Sequence, residues 1–499
     1  MSVRVDRLIT IVGLLVVSAC GGGGATDVHT SPPKPTTPSF RVVSGAGATD
    51  TIARVMKVPL VISVDPARSR LSGVVVRVSG LAGSAPINYA QRTPFVAGAS
   101  GTPTDTTFAD TTDATGSVSF RIKLGSTAGP QQVIIEVPEF GLRDSASFTG
   151  APGPVTHIGF ASQDTNVFAG GPFAVGAAPR DFYQNACPGV LQYSARGTVT
   201  QVDASGQAVA GVPGTGYVVV RLGTMVDSAR FIAVPKFEIA YFTIRSSPGS
   251  TFSHVYDLWL ANLDGSNRRR IDTTASAFPH LTASADGKFI LHHDERAGGR
   301  SLVRVGRDGK RIEAAVAPIR GEDGVFGSGD WIYYSYSAPG DSYAIWRAHG
   351  DGSGTQKLAN TYSYFTPSAS ADGRWVTSGS YEGSGIVGLV DLTTGAVKNM
   401  AVVGDMPDFS PVQPEIAYVA RDHNIWSVNA DGSNVRLRSP NGRYSLGPRW
   451  SPDGKWLIVS TSAEFDLIDA TTGARLLLPW TAHVAPNTQL QPGALVTAQ

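Results

Sequence analysis

The sequence predicts an all-β protein: two β-sandwiches followed by a six-bladed β-propeller. Three observations carry this. Glycine supplies 57 of 499 residues and charged side chains only 16%, a composition that disfavours long helices. Short runs of β-branched and aromatic residues alternate with Gly, Pro, Asp and Ser turns from about residue 40 onward. From about residue 237 a turn motif recurs every 37 to 44 residues, the period of a four-stranded blade. A chain this long exceeds one core and implies roughly three domains.

Charge excludes one class of function. Lys and Arg number 41 against 40 Asp and Glu, interspersed along the chain. No basic block or arm marks a nucleic-acid binder. Two cysteines, Cys20 and Cys187, are the whole thiol inventory. With Cys20 otherwise engaged, Cys187 has no partner and reads as a small packed residue rather than a reactive thiol.

The N-terminus reads as an export segment over residues 1–19. Arg4 and Arg7 precede an apolar run from Leu8 to Val17, and Val17-Ser18-Ala19-Cys20 follows. Ten residues are too few to cross a hydrocarbon core as a helix. The small residues before Cys20 resemble the bacterial lipobox, which implies lipidation of Cys20 as the first mature residue. Gly21 after it resembles the sorting pattern of outer-membrane lipoproteins. Residues 20–39 then form a tether: Gly21 to Gly24 supply flexibility, and Ser31-Pro32-Pro33-Lys34-Pro35 favours extended backbone.

Residues 40–153 form the first predicted sandwich. Leu60 to Val64, Val74 to Val78, Val118 to Ile122 and Val133 to Val137 are strand-like, several alternating apolar with polar. Val42-Val43-Ser44-Gly45, Thr112 to Val118 and Leu124 to Gly129 resemble bacterial Ig-like domains of the invasin and intimin type. Residues 80 to 110 read as a Thr-, Ala- and Gly-rich insertion. In the second sandwich, residues 154–235, Arg180 to Asn185, Val202 to Gly206 and Val212 to Gly216 resemble the related bacterial Ig-like type. That pattern implies a strand pair turning at Asp203-Ala204-Ser205-Gly206. Modules of this kind are expected to act as spacers, since fold alone confers no function.

The propeller is predicted over residues 236–493. Trp259, Val303, Trp346, Leu389, Trp426 and Leu467 each lie six residues before a turn glycine. Those turns are Asp264-Gly265, Asp308-Gly309, Asp351-Gly352, Thr394-Gly395, Asp431-Gly432 and Thr472-Gly473. A second series runs out of phase: Ser284 to Gly287, Ser370 to Gly373 and Ser451 to Gly454, with degenerate copies at Ser328 and Ser410. Asp-Gly suits tight hairpins because glycine reaches positive φ cheaply. Packing between neighbouring sheets accounts for the aromatic and aliphatic positions better than a ligand stripe does. The paired motifs resemble the TolB-type propeller. The first blade begins abruptly at Phe237 to Tyr241, so the C-terminus is expected to supply its missing strand. Pro486 to Leu490 resembles that segment.

No catalytic motif is found: neither Gly-x-Ser-x-Gly, nor His-Glu-x-x-His, nor a phosphate loop occurs. His292-His293-Asp294-Glu295 is the one titratable cluster. In a strand only His292 with Asp294, or His293 with Glu295, share a face, so it reads as a polar strand end rather than a metal site. The expectation is a non-enzymatic envelope lipoprotein without cofactor or metal, membrane-held through its lipid. It recognises a protein or glycan through a propeller rim. The rival expectations are an enzyme acting on a polysaccharide, marked by titratable groups gathered at one mouth of the channel, and an adhesin working through the sandwiches.

Overall fold

The computed structural model describes residues 37–497 apart from 68–69, 81–93, 103–104, 246–253, 277–279, 296–299, 313–318, 340–342, 361–366, 379–385, 441, 445, 462–463 and 483–493. The export segment, Cys20, the tether up to residue 36 and Pro486 to Leu490 lie outside the described residues. The chain divides into two compact units, residues 1–153 and 154–499. No helix among the described residues is long and apolar enough to cross a membrane.

In the first unit a four-stranded and a five-stranded sheet share one core. The alternation read from the sequence explains why. Leu60, Ile62 and Val64 of Leu60–Asp65 face inward, as do Val118, Phe120 and Ile122 of Ser117–Lys123. They meet Val76, Val78, Val133 and Ile135 from the other sheet. A period of two places one whole side of each strand in that core. The stretch read as an insertion corrects itself: Phe95–Gly98 pairs with Ser117–Lys123, and Thr107–Thr111 pairs with Val75–Gly80. Phe95–Gly98 is only four residues long and Thr107–Thr111 has one large apolar side chain, Phe108, so neither gives a long alternating pattern.

The second unit opens with three sheets around Ile158, Val175, Val218, Val220 and Phe231. Val199–Val202 and Gln207–Ala210 form the expected hairpin at Asp203. Its carboxylate accepts from the Ser205 N–H and hydroxyl and from the Gln207 N–H. Gly206 takes φ +81° there, a conformation costly for other residues. Cys187 is buried beside Pro179, whose carbonyl accepts its N–H, and burial raises its thiol pKa. Because the thiolate is the reactive form, Cys187 should react with iodoacetamide at pH 8 at least about tenfold more slowly in the folded chain than in guanidinium. Mass spectrometry of timed quenches measures this, and equal rates would contradict the burial.

From Phe237 onward the chain forms antiparallel four-stranded meanders. Two of them share the long strand Val397–Phe409, whose ends pair with different neighbours. Phe237–Arg245 pairs on one side with His254–Asn262 and on the other with Ala494–Thr497. The C-terminus therefore completes the first meander, with a strand that begins one residue beyond the boundary expected at 493.

The apolar cores tie these sheets together in sequence. Ala240, Phe242 and Leu258 pack with Ile290 and Val305 of the next sheet. Leu291 then packs with Ile332 and Tyr334, and Tyr333 with Val376. Leu389 meets Ile416 and Tyr418, and Ala417 meets Leu457 and Ile468. The last core joins Ile458 and Leu467 back to Ile239 and Tyr241 of the first. Both faces of each sheet are thus covered by neighbours, which is β-propeller architecture. Trp259, Val303, Trp346, Leu389, Trp426 and Leu467 all contribute to these inter-sheet cores.

The preceding sheets are fastened to this ring within the second unit. Ile232 and Val234 belong to the same core as Phe237 and Ile239, with Phe168 packed against it. The Asn166 amide donates to the Leu477 carbonyl at 2.9 Å.

Candidate functional site

The first strand of each meander lies at its inner edge. Ala494–Thr497, Leu281–Ala283, Glu322–Phe326, Ser368–Ala369, Val397–Phe409 and Leu446–Trp450 neighbour one another in a closed circle. Each described inner strand apart from the C-terminal one runs into a hairpin turn. In a meander the turn joining strands one and two and the turn joining three and four lie on the same side. Both turn series therefore share one rim.

That rim is fastened by short side-chain hydrogen bonds. Asp264 accepts from the Ser266 N–H and hydroxyl, and Asp351 and Asp431 accept from the N–H groups of Ser353 and Ser433. Asp286, Asp372 and Asp453 each take a serine hydroxyl two residues back at 2.6 to 2.7 Å. They also accept the N–H two residues on. These bonds hold Asp286 down to a pKa of about 2, the Ser284 hydroxyl contributing most. The aspartates are consumed by their turns, as Asx geometry requires.

The opposite end of the inner circle carries buried titratable groups. His280, just before Leu281, places Nε2 3.7 Å from Asp323 Oδ1, and His293 Nδ1 lies 4.0 Å from the same oxygen. Across the circle and nearer the turns, two residues before Ser410, Asp408 acts as a strut. It accepts from the Ser368 hydroxyl at 2.9 Å and the Trp450 N–H at 2.9 Å, and faces Arg449 at 3.7 Å. Arg449 Nε and His280 Nδ1 are buried with no hydrogen-bond partner among the described residues.

Burial sets the electrostatics here. It pushes His280 down to about 3, with the Arg449 charge adding to the shift. It pushes His293 down to about 4 against the opposing pull of Asp323. Both imidazoles are therefore neutral at neutral pH. Burial also raises the Asp408 carboxyl, and Arg449, the Trp450 N–H and the Ser368 hydroxyl oppose that rise. Asp323 and Met406 sit at bulges with φ +44° and +50°. Such left-handed backbone at a non-glycine residue is costly and recurs at functional sites.

The cluster read from the sequence splits between two surroundings. His292 Nε2 meets Asp272 at 2.9 Å, and Arg311 bridges Asp272 to Asp294 at 2.8 Å. His292 and Asp294 do share a side of their strand, and neighbouring strands supply the ions between them. His293 turns the other way, toward Asp323. Glu295 pairs with Arg300 at 3.0 Å, which also pairs with Glu322. No group of three His, Cys, Asp or Glu among the described residues is placed to hold a metal.

Asp323, Asp408 and Arg449 were not singled out in the sequence, though the repeat carried a signal for two of them. Pro367-Ser368-Ala369-Ser370, Pro407-Asp408-Phe409-Ser410 and Pro448-Arg449-Trp450-Ser451 are one motif. Its second position varies between Ser, Asp and Arg on adjacent inner strands, where the three side chains meet.

No protein-family model matches the chain, and no curated protein matches it. Solved structures do. TolB from Acinetobacter baumannii is 14% identical, over 68% of this chain and 99% of its own, with a TM-score of 0.43. A putative TolB from Agrobacterium tumefaciens is 20% identical, over 46% of this chain and 89% of its own, at 0.38. An oligogalacturonate lyase in complex with manganese is 15% identical, over 49% of this chain and 74% of its own, at 0.29.

Proposed function

We propose that this chain is an exported lipoprotein, anchored through Cys20, whose propeller recognises a macromolecular partner in the cell envelope. In this reading the ring has six blades and resembles TolB, and the two preceding sandwiches are Ig-like modules that carry it off the outer membrane. The observation that carries the reading is the pinned rim. Turns already fixed by Asp and Ser hydrogen bonds lose little freedom on contact, so the backbone ordering cost of binding a partner is small. Lys288, Lys310 and Lys455 are exposed on that rim, each following a turn glycine, and suit a surface with acidic or hydroxyl-rich groups.

A cross-linking pull-down from envelope extracts tests it. The full mature chain is compared with a K288E/K310E/K455E variant of unchanged melting temperature. The expected result is partner capture reduced about tenfold, in line with the loss of several rim charges. Equal capture by both proteins would remove the rim from the proposal.

A second reading, an enzyme acting on a polymer, is favoured by the unsatisfied Arg449 Nε and His280 Nδ1 at the inner circle. The histidine values weigh against it. General acid–base catalysis needs a pKa near the working pH, and about 3 and about 4 lie far below neutrality. Depolymerisation of a uronate or neutral polysaccharide, lost in a His280→Gln variant, would reverse this preference.

A further inference from the structure

Where the second set of sandwich sheets meets the ring, a cavity of about 530 Å³ opens. Its size falls within the range of small-molecule sites, and junctions between modules are a common place for them. One wall is aromatic: Phe168 and Phe173 are partly exposed, and Phe231 is buried behind Phe173 with ring centroids 4.6 Å apart. The other wall is polar, with Asn166, Asp264 and Lys236. Asn166 is 7% exposed. Its amide nitrogen is fixed on the Leu477 carbonyl, and its Oδ1 is buried with no hydrogen-bond partner. An acceptor held in that way, lining a cavity, calls for a donor from a ligand.

We propose that this cavity binds a neutral saccharide unit. A pyranose carries C–H groups on its faces, which suit the phenyl rings, and hydroxyl donors along its edges, one of which suits Asn166 Oδ1. The charges of Lys236 and Asp264 offset one another, so neither an anion nor a cation is preferred. The inference rests on the envelope-recognition reading and gives it a ligand class, with a second contact beside the pinned rim.

The test uses the full mature chain and saturation-transfer NMR against maltose, cellobiose and diacetylchitobiose. At least one should receive saturation through its ring C–H protons. Asn166→Leu should weaken that sugar about tenfold, the effect of losing one buried hydrogen bond. Ala174→Trp should abolish binding, because Ala174 is exposed and lines the cavity, so the indole fills the space without disturbing a core. No transfer to any of the three sugars, or transfer that survives both substitutions, overturns the proposal. Envelope capture retained without a saccharide signal defeats this inference alone. Saccharide binding together with undiminished capture by the rim-lysine variant defeats only the rim.

Discussion

A chain ending at residue 493 should melt about 5–10 °C below the full chain at the same scan rate, from the burial and size scalings of stability. The strand it lacks, Ala494–Thr497, contributes to two cores at once. Leu495 is 3% exposed and packs between the first and last sheets, while Ala494 and Val496 pack between the first and second. Burial of a Leu and a Val side chain is worth about 3–6 kcal/mol together. Their removal also strips Phe237–Arg245 of its partner and leaves the ring with an open edge. In a unit of this size each kcal/mol moves the midpoint by about 1–2 °C. Val496→Asp in the full chain separates packing from length. It keeps the backbone but places a charge at a fully buried position, and should lower the midpoint by a similar amount. A truncated chain with an unchanged melting curve would mean that the ring does not depend on this closure.

The closing strand also shows how far the sequence could be read. Asp-Gly and Ser-Pro-Asp-Gly turns are local chemistry, so the meanders and their spacing were legible directly. The abrupt start at Phe237 correctly implied that the C-terminus completes the first sheet. The pairing strand lies at 494–497, however, after the Pro486 to Leu490 segment that resembled it. Ala-Leu-Val-Thr carries no turn signal, and its register against Phe237 to Ala240 is set by cores about 250 residues away in sequence.

The titratable site was less legible for the same reason. Alternation within one strand correctly paired His292 with Asp294. It could not show that His293 faces Asp323, a residue 30 positions later on the next sheet. Nor could it show that Asp408 and Arg449, 41 positions apart, meet at 3.7 Å. Their contact exists only because successive inner strands neighbour one another. A position-by-position reading of the Pro-x-(Ala/Phe/Trp)-Ser motif would have placed Ser368, Asp408 and Arg449 together beforehand.

Those buried histidines give the second large effect, a loss of stability between pH 6.5 and 4.5. His280 and His293 have folded values of about 3 and about 4, below the unfolded value of about 6.5. The neutral form is therefore the native one. Above about 6.5 both states are neutral and the native packing is at full strength; below it the unfolded chain takes up protons that the folded chain refuses. Stability falls from there until the folded values are reached. By pH 4.5 the two groups together should cost about 2–5 kcal/mol. Asp323 beside both imidazoles softens the penalty, and the Arg449 and Arg300 charges deepen it. Asp286, held near 2, adds stability that is lost only as the pH falls below about 3.8. Asp408, raised by burial, works in the opposite sense, since the folded chain binds its proton more readily and gains as the pH falls. The difference between the parent and a chain lacking both imidazoles therefore isolates their part, since the carboxylates are common to the two proteins. A His280→Gln/His293→Gln chain should lose less than about half as much stability across it as the parent, measured by urea midpoints at fixed temperature. Parallel pH profiles for the two proteins would show that these side chains are protonated in the folded state, and the inner end of the ring would then carry a positive cluster rather than a neutral one.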